Sequence, residues 1–523
     1  MRLIYSFLLC FLIVNCIQAQ STTWSKDIAP IFYKNCVSCH RAGGIAPFSL
    51  TTYNEASSVS ALIPSKVLER KMPPWPADPS YRHYVGERRL TDIEIQKIVS
   101  WVSDGAPSGD LGQAPNPPIF KDGSELGTPS LSLTMDEYTS EAAKGGNDEY
   151  RYFVIPSNLP ILKYAKAIEL IPGNREIVHH VLVFQDTSRK PRLLDQADPK
   201  PGFKGFGGTG STTTQLIAAW VPGSRPTYFP AGMGIQLLPN TDIILQIHYP
   251  AGSIGKKDKT KINFLFDDSP FIRPLFFSDI ITHTAPVLQN GPLFIPANKV
   301  KTFNAKYTIP FDATITHIAP HMHLIGTKIK SYAVTPTGDT IQLVKINDWD
   351  FHWQGNYAFQ KLIKLPKGSI LYGEATYDNT TNNTHNPNKP PKDVRLGEST
   401  TDEMMLIYFA FTLYFNGDEN VVIDTTKYSS APIEIRNNNN NNFLIAPNII
   451  SNNQAFAKFD VEINSKATLE FYNCEGKIVQ NSEVFVYKGS NTILLNTTDL
   501  SPGKYWVLLK VNGSSSGKDL IIE

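Results

Sequence analysis

The sequence has few cysteines for a chain of 523 residues. Of the five, Cys10 and Cys16 fall in an apolar N-terminal stretch, and the others are Cys36, Cys39 and Cys474. Small secreted proteins that depend on disulfides carry many paired cysteines. This scarcity predicts that the body of the protein folds without disulfides and depends on apolar packing.

Charge of one sign and long apolar runs are also lacking. The 49 basic and 48 acidic residues give a formal net charge of +1, so no basic excess favours a nucleic-acid partner. Beyond the N-terminal stretch, no segment is apolar enough to cross a bilayer. We therefore expect neither nucleic-acid binding nor a transmembrane segment in the mature chain. The 22 Tyr, 28 Phe and 38 Pro, without a heptad pattern, favour a β-rich protein of several domains.

The N-terminal stretch has the pattern of a secretory signal peptide. Arg2 supplies the positive charge, residues 3–17 are mostly apolar, and Ala19 is a small residue suited to cleavage. The apolar run is short for a membrane span. An uncleaved anchor or a lipid attached to Cys16 are alternative interpretations. We expect residues 1–20 to be removed on export.

A motif for covalent haem attachment follows. Cys36-Val-Ser-Cys39-His40 has the C-x-x-C-H pattern of c-type haem proteins. Two thiols at this spacing reach both vinyl groups on one haem edge, and the adjoining histidine meets the iron from the same side. A zinc half-site or a thiol redox pair are the alternatives. No second Cys/His pair lies nearby for zinc, and residues 24–34 have the pattern of an amphipathic helix, whereas a redox pair follows a strand.

The haem iron needs a sixth ligand. Met72, in the run K-M-P-P-W, is our prediction because its thioether raises the reduction potential of a haem and its loop is rich in proline. His83 is the competing candidate. A capping box at Thr91 and Glu94 predicts a closing helix, which Gly105 ends.

Together these features resemble a small class I cytochrome c over residues 24–110. The resemblance implies an all-α haem domain at residues 21–110, in which Cys36, Cys39, His40 and Met72 bind one haem c.

A Pro/Gly-rich stretch at 109–118 marks a linker to a β-rich region. Short apolar runs separated by Gly, Pro and Asn clusters predict antiparallel sandwiches, and some 300 residues are too many for one. The predicted fold class is therefore mainly β. Two β-sandwiches are expected, preceded by the small all-α domain and followed by a small β-sandwich.

Histidine placement carries the chemistry of this region. Five of the eleven histidines occur in three settings: His179-His180, His248 within Q-I-H-Y, and His321-Met322-His323. Residues two apart on a strand share a face, so His321 and His323 can bind one metal. His179 and His180 can converge only at a strand end or bulge, and with His248 they would make a three-imidazole site.

The order of these motifs, followed by Asp402-Glu403-Met404, resembles the copper type II ascorbate-dependent monooxygenases (peptidylglycine α-hydroxylating and dopamine β-monooxygenases) over residues 165–420. The resemblance implies two jelly-roll-like copper sandwiches, expected at 121–275 and 276–435, separated by a solvent-filled gap.

The resemblance also implies a role for each matching residue. His179, His180 and His248 would hold the copper that stores an electron. His321, His323 and Met404 would hold the copper that activates O2, where a soft thioether favours Cu(I). Met405 could replace Met404, Met322 should point away from the metal, and Tyr408 matches the tyrosine that follows the methionine ligand in the family.

Two positions depart from the peptide-amidating members. The Arg and Asn that hold the peptide carboxylate there are matched by Ala319 and Leu406. We therefore expect a more apolar pocket and a substrate other than a glycine-extended peptide.

The C-terminal region begins after six consecutive asparagines at 437–442, a polar spacer. Alternating apolar residues then predict strands at 456–463, 468–472, 484–487 and 505–511. The ending resembles the C-terminal sorting domain of the bacterial type IX secretion system, expected at 443–523, and a generic adhesion sandwich is the alternative. The resemblance implies contact with the secretion machinery and a secreted or cell-surface protein, with the periplasm as the alternative location.

These features together predict a secreted monooxygenase with two copper ions and one haem c. It would hydroxylate a C–H bond of a small organic substrate with O2, and an external donor, an ascorbate-like reductant or a redox protein, would supply electrons through the haem. A non-enzymatic electron-transfer or copper-binding surface protein is the alternative, and a glycan-binding surface module is a third hypothesis.

Overall fold

The computed structural model describes residues 21–120, 123–205, 208–423, 443–450, 454–461, 463–473, 477–511 and 514–522. The predicted signal peptide, the asparagine run and Cys474 lie outside these ranges. Within them, no helix combines the length and the apolarity that a membrane crossing requires. The chain divides into two compact units, Met1–Pro432 and Ile433–Glu523.

The first unit begins with a small helical region. Its elements are a π-helical turn (Trp24–Ile28), α1 (Ala29–Asn35), α2 (Tyr53–Ser58), α3 (Ile63–Leu68) and α4 (Asp92–Ser103), with 3-10 turns at Ser60–Leu62 and Leu111–Gln113. The predicted capping box begins α4, because Thr91 and Glu94 each accept a hydrogen bond from the other's backbone N–H. The apolar faces meet in one core around Trp24, Phe32 and Trp101.

The rest of the first unit is built from strands. They are β1 (Leu131–Thr134), β2 (Tyr138–Thr139), β3 (Glu149–Pro156), β4 (Lys163–Ile171), β5 (His180–Asp186), β6 (Phe203–Lys204), β7 (Gln215–Trp220), β8 (Thr227–Tyr228), β9 (Met233–Leu237), β10 (Asp242–Tyr249), β11 (Lys257–Asp258), β12 (Lys261–Asp267), β13 (Arg273–Ile281), β14 (Phe294–Ile295), β15 (Val300–Thr308), β16 (Ala313–His321), β17 (Gly326–Val334), β18 (Thr340–Ile346), β19 (Tyr357–Leu365), β20 (Ile370–Asp378), β21 (Val394–Arg395) and β22 (Leu406–Leu413). A helix, α5 (Lys190–Ala197), lies between β5 and β6, and a 3-10 turn follows β22 at Asp418–Asn420.

Among the described residues, three large sheets enclose two hydrophobic cores. A five-stranded sheet (β6-β3-β10-β5-β7) packs against one half of a nine-stranded sheet (β1-β12-β4-β9-β13-β22-β16-β19, with β8 beside β4). A four-stranded sheet (β15-β20-β17-β18) packs against the other half. β13 joins the halves, because it pairs in parallel with β9 and antiparallel with β22. The mainly β architecture with a small helical start confirms the predicted fold class.

The segment that follows Met72 leaves the helical region and packs on the second half of the strands. Ala77 forms a bridge to Ile346, and Tyr84 forms one to Phe359. The Tyr84 hydroxyl also donates a 2.6 Å hydrogen bond to the Leu343 carbonyl. Residues 75–88 therefore contribute to the β-rich core, although the sequence pattern had grouped them with the helices.

The second unit is a small β structure. Its strands are β23 (Leu444–Ala446), β24 (Ile449–Ile450), β25 (Gln454–Val461), β26 (Ser465–Tyr472), β27 (Ile478–Val486), β28 (Gly489–Asn496), β29 (Gly503–Val511) and β30 (Ser514–Ile522). Over the described residues they form the sheets β23-β25-β28 and β24-β30-β29-β26-β27. Phe459 on β25, Leu469 on β26 and Val507 on β29 are buried in a core that belongs to this unit alone. This agrees with the alternation of apolar residues along the sequence, because every second residue of a strand faces the same side.

Candidate metal centres

Three histidines of the first half converge at one end of two paired strands. β5 begins at His180, and the strand register places His180 opposite His248 on β10. His179 precedes the strand, and its N–H donates a 3.0 Å hydrogen bond to the His248 carbonyl. His179 is thus released from the alternation of the strand, which is the condition under which adjacent histidines can face one site.

The ring nitrogens of this first cluster face one another. His180 Nδ1 lies 3.3 Å from His179 Nδ1 and 3.4 Å from His248 Nδ1. One potential ligand atom from each of the three histidines lies within 4.8 Å of the others. Burial, followed by the neighbouring imidazoles, lowers the pKa of His179 to about 3 and that of His180 well below its usual value. The rings of His179 and His180 are therefore neutral at pH 7, and three imidazole nitrogens at such distances suit a cation between them.

The Asp148 carboxylate contacts the His248 ring at Nε2, whereas Nδ1 of the same ring faces His180. His248 Nε2 lies 3.1 Å from Asp148 Oδ2, an ion-pair contact rather than an aligned hydrogen bond. Asp148 also accepts a 2.7 Å hydrogen bond from Thr400, and Tyr150 stacks on the His248 ring at 4.5 Å. A carboxylate at the remote nitrogen orients a histidine ligand and increases its basicity. The sequence offered no signal for Asp148, which lies 100 residues from His248.

The second cluster lies at the end of β16. His321 Nδ1 donates to Gln354 Oε1 at 2.5 Å, and His323 Nδ1 donates to the Asp402 carbonyl at 3.1 Å. The two ring centroids are 5.1 Å apart. In both rings the occupied Nδ1 leaves Nε2 free, as a metal-binding nitrogen would need to be. Burial lowers the pKa of His321 to about 4 and that of His323 to about 3, so both are neutral at pH 7.

Three methionines lie close to this cluster in sequence, and their environments differ. Met322 and Met405 are fully buried in the apolar core of the second half. Met404 is partly exposed, and its carbonyl accepts a 2.6 Å hydrogen bond from Tyr377. Of these three methionines, Met322 and Met405 belong to the core, and Met404 does not. Its role as a ligand stays a prediction.

Tyr408 lies on β22, directly opposite Ala319 on β16. Its ring stacks on Phe277 with the centroids 6.0 Å apart. Burial raises the pKa of Tyr408. The hydroxyl is therefore protonated at pH 7 and able to donate a hydrogen bond near the end of β16.

Glu403 connects two segments of the second cluster: the one after β16, which carries His323, and the one before β22, which carries Met404. This fully buried carboxylate accepts hydrogen bonds from the backbone N–H of His323 at 2.9 Å and of Ile325 at 2.8 Å. Burial raises the pKa of Glu403 to about 8, against the lowering effect of these donors. In the sequence, Glu403 is part of the Asp402-Glu403-Met404 motif, and nothing in that motif indicates a positioning role. Its contacts assign it the positioning of His323 relative to Met404.

Replacing Glu403 with glutamine is expected to weaken copper binding at the second cluster by about 10–100-fold. An amide accepts through one oxygen only, so one of the two N–H groups loses its partner and the His323 loop shifts. Copper affinity is measured by competition with a chelator on the full-length protein. Glu169→Gln is the matched control, because Glu169 is also buried and hydrogen-bonded but distant from both clusters. Equal affinities in the two variants would contradict this role.

The cysteine motif of the helical region follows α1 directly. The backbone turns so that the N–H groups of Cys39 and His40 both donate to the Cys36 carbonyl, at 3.1 and 2.9 Å. His40 Nδ1 donates to the Phe48 carbonyl at 3.1 Å, which leaves Nε2 for a metal. Both thiols are free, and burial raises the pKa of Cys36 to about 12. A redox pair needs a thiol of low pKa, so these features fit a haem thioether better.

The two candidates for the sixth haem ligand have different surroundings. Met72 lines a cavity of about 720 Å³ together with Trp349, Trp353 and His385 of the β-rich part. His83 is 64% exposed, and its Nδ1 lies 2.9 Å from Glu87 Oε2. The choice of Met72 over His83 as the sixth ligand stays a prediction.

Three further histidines, His283, His317 and His352, have structural surroundings. His317 is buried and pairs through Nδ1 with the Thr316 hydroxyl at 2.9 Å. His283 accepts a hydrogen bond from the Met405 N–H. The side chain of His352 is 63% exposed and paired with Asp350, and its ring meets Phe351 edge to face with the centroids 6.0 Å apart.

Comparison with known proteins identifies two segments of the chain. Residues 300–439 match the family described as copper type II ascorbate-dependent monooxygenase, C-terminal domain. Residues 453–523 match the secretion system C-terminal sorting domain. No curated protein sequence matches the chain.

The chain is similar to parts of several solved glycosidases, with low sequence identity and low TM-scores. A β-glucuronidase of Parabacteroides merdae is 10% identical over 43% of this chain and 28% of its own, with a TM-score of 0.13. A β-glucuronidase of Faecalibacterium prausnitzii is 9% identical over 43% of this chain and 37% of its own, with a TM-score of 0.11. The chain spans about a third of the length of these enzymes, and such scores carry no argument about fold or activity.

The first of the two matched segments contains His321, His323, Glu403 and Met404. Residues 300–439 are therefore similar to the C-terminal domain of the copper type II ascorbate-dependent monooxygenases, and residues 453–523 are similar to the C-terminal sorting domain of a secretion system.

Proposed function

We propose that this protein hydroxylates a C–H bond of a small organic substrate with O2, using two copper ions. One observation carries the proposal. Five imidazoles form two clusters, with three Nδ1 atoms converging in the first and two Nε2 atoms free in the second. This division matches a reaction in which one metal stores an electron and another meets oxygen.

The ligand sets support the division of roles. His179, His180 and His248 would hold one copper, and His321, His323 and Met404 would hold the other. When bound, the copper ions supply the two electrons needed to insert one oxygen atom and reduce the other to water, and the site at which O2 is activated. Imidazole suits both oxidation states of copper, whereas a thioether favours Cu(I). The protein itself holds the ligands by the contacts of Asp148, Gln354, Glu403 and the Asp402 carbonyl.

The surroundings of the second cluster support an apolar substrate. Ala319 occupies β16 two residues before His321, and Leu406 begins β22 and is 6% exposed. Neither side chain can bind a carboxylate, because neither carries a charge or a hydrogen-bond donor. A small molecule with a mostly apolar body fits these positions better than a peptide that ends in a carboxylate.

The helical region supports an internal electron supply. Cys36 and Cys39 would attach a haem c, and His40 and Met72 would ligate its iron. When bound, the haem supplies a store for single electrons from an external donor, an ascorbate-like reductant or a redox protein. Trp353 lines the same cavity as Met72 and belongs to the loop that contacts both histidine clusters. Because Met72 and this loop line the same cavity, we expect electrons to pass from the helical region to the β-rich part.

Substrate-dependent oxygen uptake tests the proposed function. The full-length protein is loaded with copper, supplied with ascorbate, and screened against pools of small organic compounds with an oxygen electrode. Uptake that requires a compound of one pool, yields a hydroxylated product and disappears in His323→Ala supports the monooxygenase. Two bound, redox-active copper ions without uptake in any pool would favour the non-enzymatic electron-transfer protein.

Deleting residues 443–523 is expected to retain the protein in the periplasm and leave its copper content unchanged. The second unit has its own hydrophobic core and contains none of the candidate copper ligands. Cell fractionation and immunoblotting measure the location, and elemental analysis measures the copper. Leu494→Ser, at a 57% exposed position of the same unit, is the control. Surface display of the truncated chain would contradict an address function for this domain.

A further inference from the structure

One loop lies between the two histidine clusters. It joins β18 to β19, and its Phe351 is 7% exposed. The Phe351 ring stacks on His179 with the centroids 4.7 Å apart and the planes 20° from parallel. The same ring meets His323 edge to face at 5.8 Å and 82°. A single side chain thus contacts a candidate ligand of each copper centre.

The loop is fixed where it carries this ring. Gln354 Nε2 donates a 2.9 Å hydrogen bond to the Phe351 carbonyl, while Gln354 Oε1 accepts from His321 Nδ1. On the other side, the Trp349 N–H donates to the Thr327 carbonyl of β17 at 2.9 Å. The position of the Phe351 ring is therefore coupled to the orientation of His321 and to the neighbouring sheet.

Core packing does not account for Phe351. Among the described residues, the two cores of the β-rich part include Trp349 of this loop but not Phe351. The aromatic neighbours of Phe351 are instead the imidazoles of His179, His323 and His352. A buried apolar ring at this place connects the two clusters, because it makes van der Waals contact with a histidine of each.

We infer that the Phe351 ring is the bridge across which an electron passes from the first copper centre to the second. This inference rests on the proposed function. In the copper-loaded protein, His179, His180 and His248 would hold a Cu(I) ion that gives up one electron and becomes Cu(II), and the copper held by His321, His323 and Met404 would be reduced by one unit. No atom or proton would move, and the ring itself would be neither oxidised nor reduced. Phe351 is therefore a positioning residue whose effect is on the rate of this transfer.

The test measures electron redistribution directly in the full-length protein loaded with copper and haem. Carbon monoxide binds Cu(I) at a centre with an open coordination position. In the half-reduced, carbonylated protein, a light flash releases it and lets the electron move to the other copper. Transient absorption follows this movement, and the haem bands are recorded in parallel so that electrons reaching the haem are counted separately.

Phe351→Leu keeps an apolar side chain but removes the ring. We expect the copper-to-copper rate to fall at least about tenfold, equal to about 1.4 kcal/mol of added barrier. Copper content and the Cu(II) electron paramagnetic resonance spectrum of each centre should stay as in the wild type. Phe351→Tyr, which retains the ring, should restore the rate. Phe303→Leu, at a fully buried ring of the β-rich core, should leave it unchanged.

Two outcomes would overturn the inference, and they differ in what else they affect. An unchanged copper-to-copper transfer rate in Phe351→Leu, with both coppers bound, would contradict the bridging role of Phe351 but not the proposed monooxygenase function. A copper content below two ions per wild-type chain would contradict both the bridging role and the proposed function.

Discussion

Replacing His321 with alanine is expected to lower bound copper from two ions per chain to one and to abolish substrate-dependent oxygen uptake. The Gln354 contact at Nδ1 leaves His321 Nε2 as one of the two imidazole nitrogens of the second centre. Its loss leaves His323 and the Met404 thioether, too few donors to retain copper against a competing chelator. We expect the affinity of this centre to fall by more than about 100-fold, beyond the range for residues that merely support a ligand. Elemental analysis and chelator competition measure the change.

The first cluster should keep its copper in this variant, because His321 hydrogen-bonds to Gln354 and not to any of its three imidazoles. Its Cu(II) resonance signal should persist at one ion per chain. His317→Gln is the matched control, since His317 is buried on the same strand but outside both ligand sets. Two copper ions and normal oxygen uptake in His321→Ala would refute the assignment of the second centre.

Replacing Cys36 and Cys39 together with serine is expected to remove all covalently bound haem while both copper ions remain. Serine cannot form the thioether bonds, and the candidate copper ligands lie in the β-rich part. The helical core around Trp24 and Trp101 contains apolar contacts of its own, so the chain should still fold. Haem-stained denaturing gels and intact mass detect the covalent group, and elemental analysis counts the copper.

Ser38→Ala, between the two cysteines, is the control for this experiment and should retain the haem. Oxygen uptake driven by an external redox protein should fall in the double-serine variant, whereas uptake driven by a small reductant able to reach the copper directly should persist. A wild-type protein without covalent haem, matured in a host that attaches haem to other C-x-x-C-H proteins, would contradict the prediction.

Much of the architecture follows from local patterns in the sequence. The capping box at Thr91 and Glu94 begins α4 as predicted, because its two hydrogen bonds join residues three apart. The alternation of apolar residues likewise predicts strands of the C-terminal unit, since neighbouring residues of a strand face opposite sides. The H-x-H pair and the order of the motifs in the sequence indicate copper binding, and the family match over residues 300–439 agrees with that interpretation.

Other features depend on residues that are distant in the chain. Local patterns allowed two separate sandwiches, but the pairing of β13 with both β9 and β22 makes one sheet continuous through both halves. Residues 75–88 carry no pattern that favours the β-rich core over the helices. Their position depends on contacts with Ile346 and Phe359, more than 250 residues away.

The sequence by itself determined the kinds of chemistry available: two sets of imidazoles, a thioether, and a cysteine pair suited to haem. The tertiary structure alone decided which groups support them, because Asp148, Gln354 and Glu403 act through hydrogen bonds or ion pairs between segments that no short-range period connects. It also decided the place of Phe351, which lies two positions from Trp349 and from Trp353 in the chain but contacts the histidines of two other loops. The identity of a candidate ligand can be read from the local sequence, whereas its orientation depends on contacts that form only when distant segments pack together.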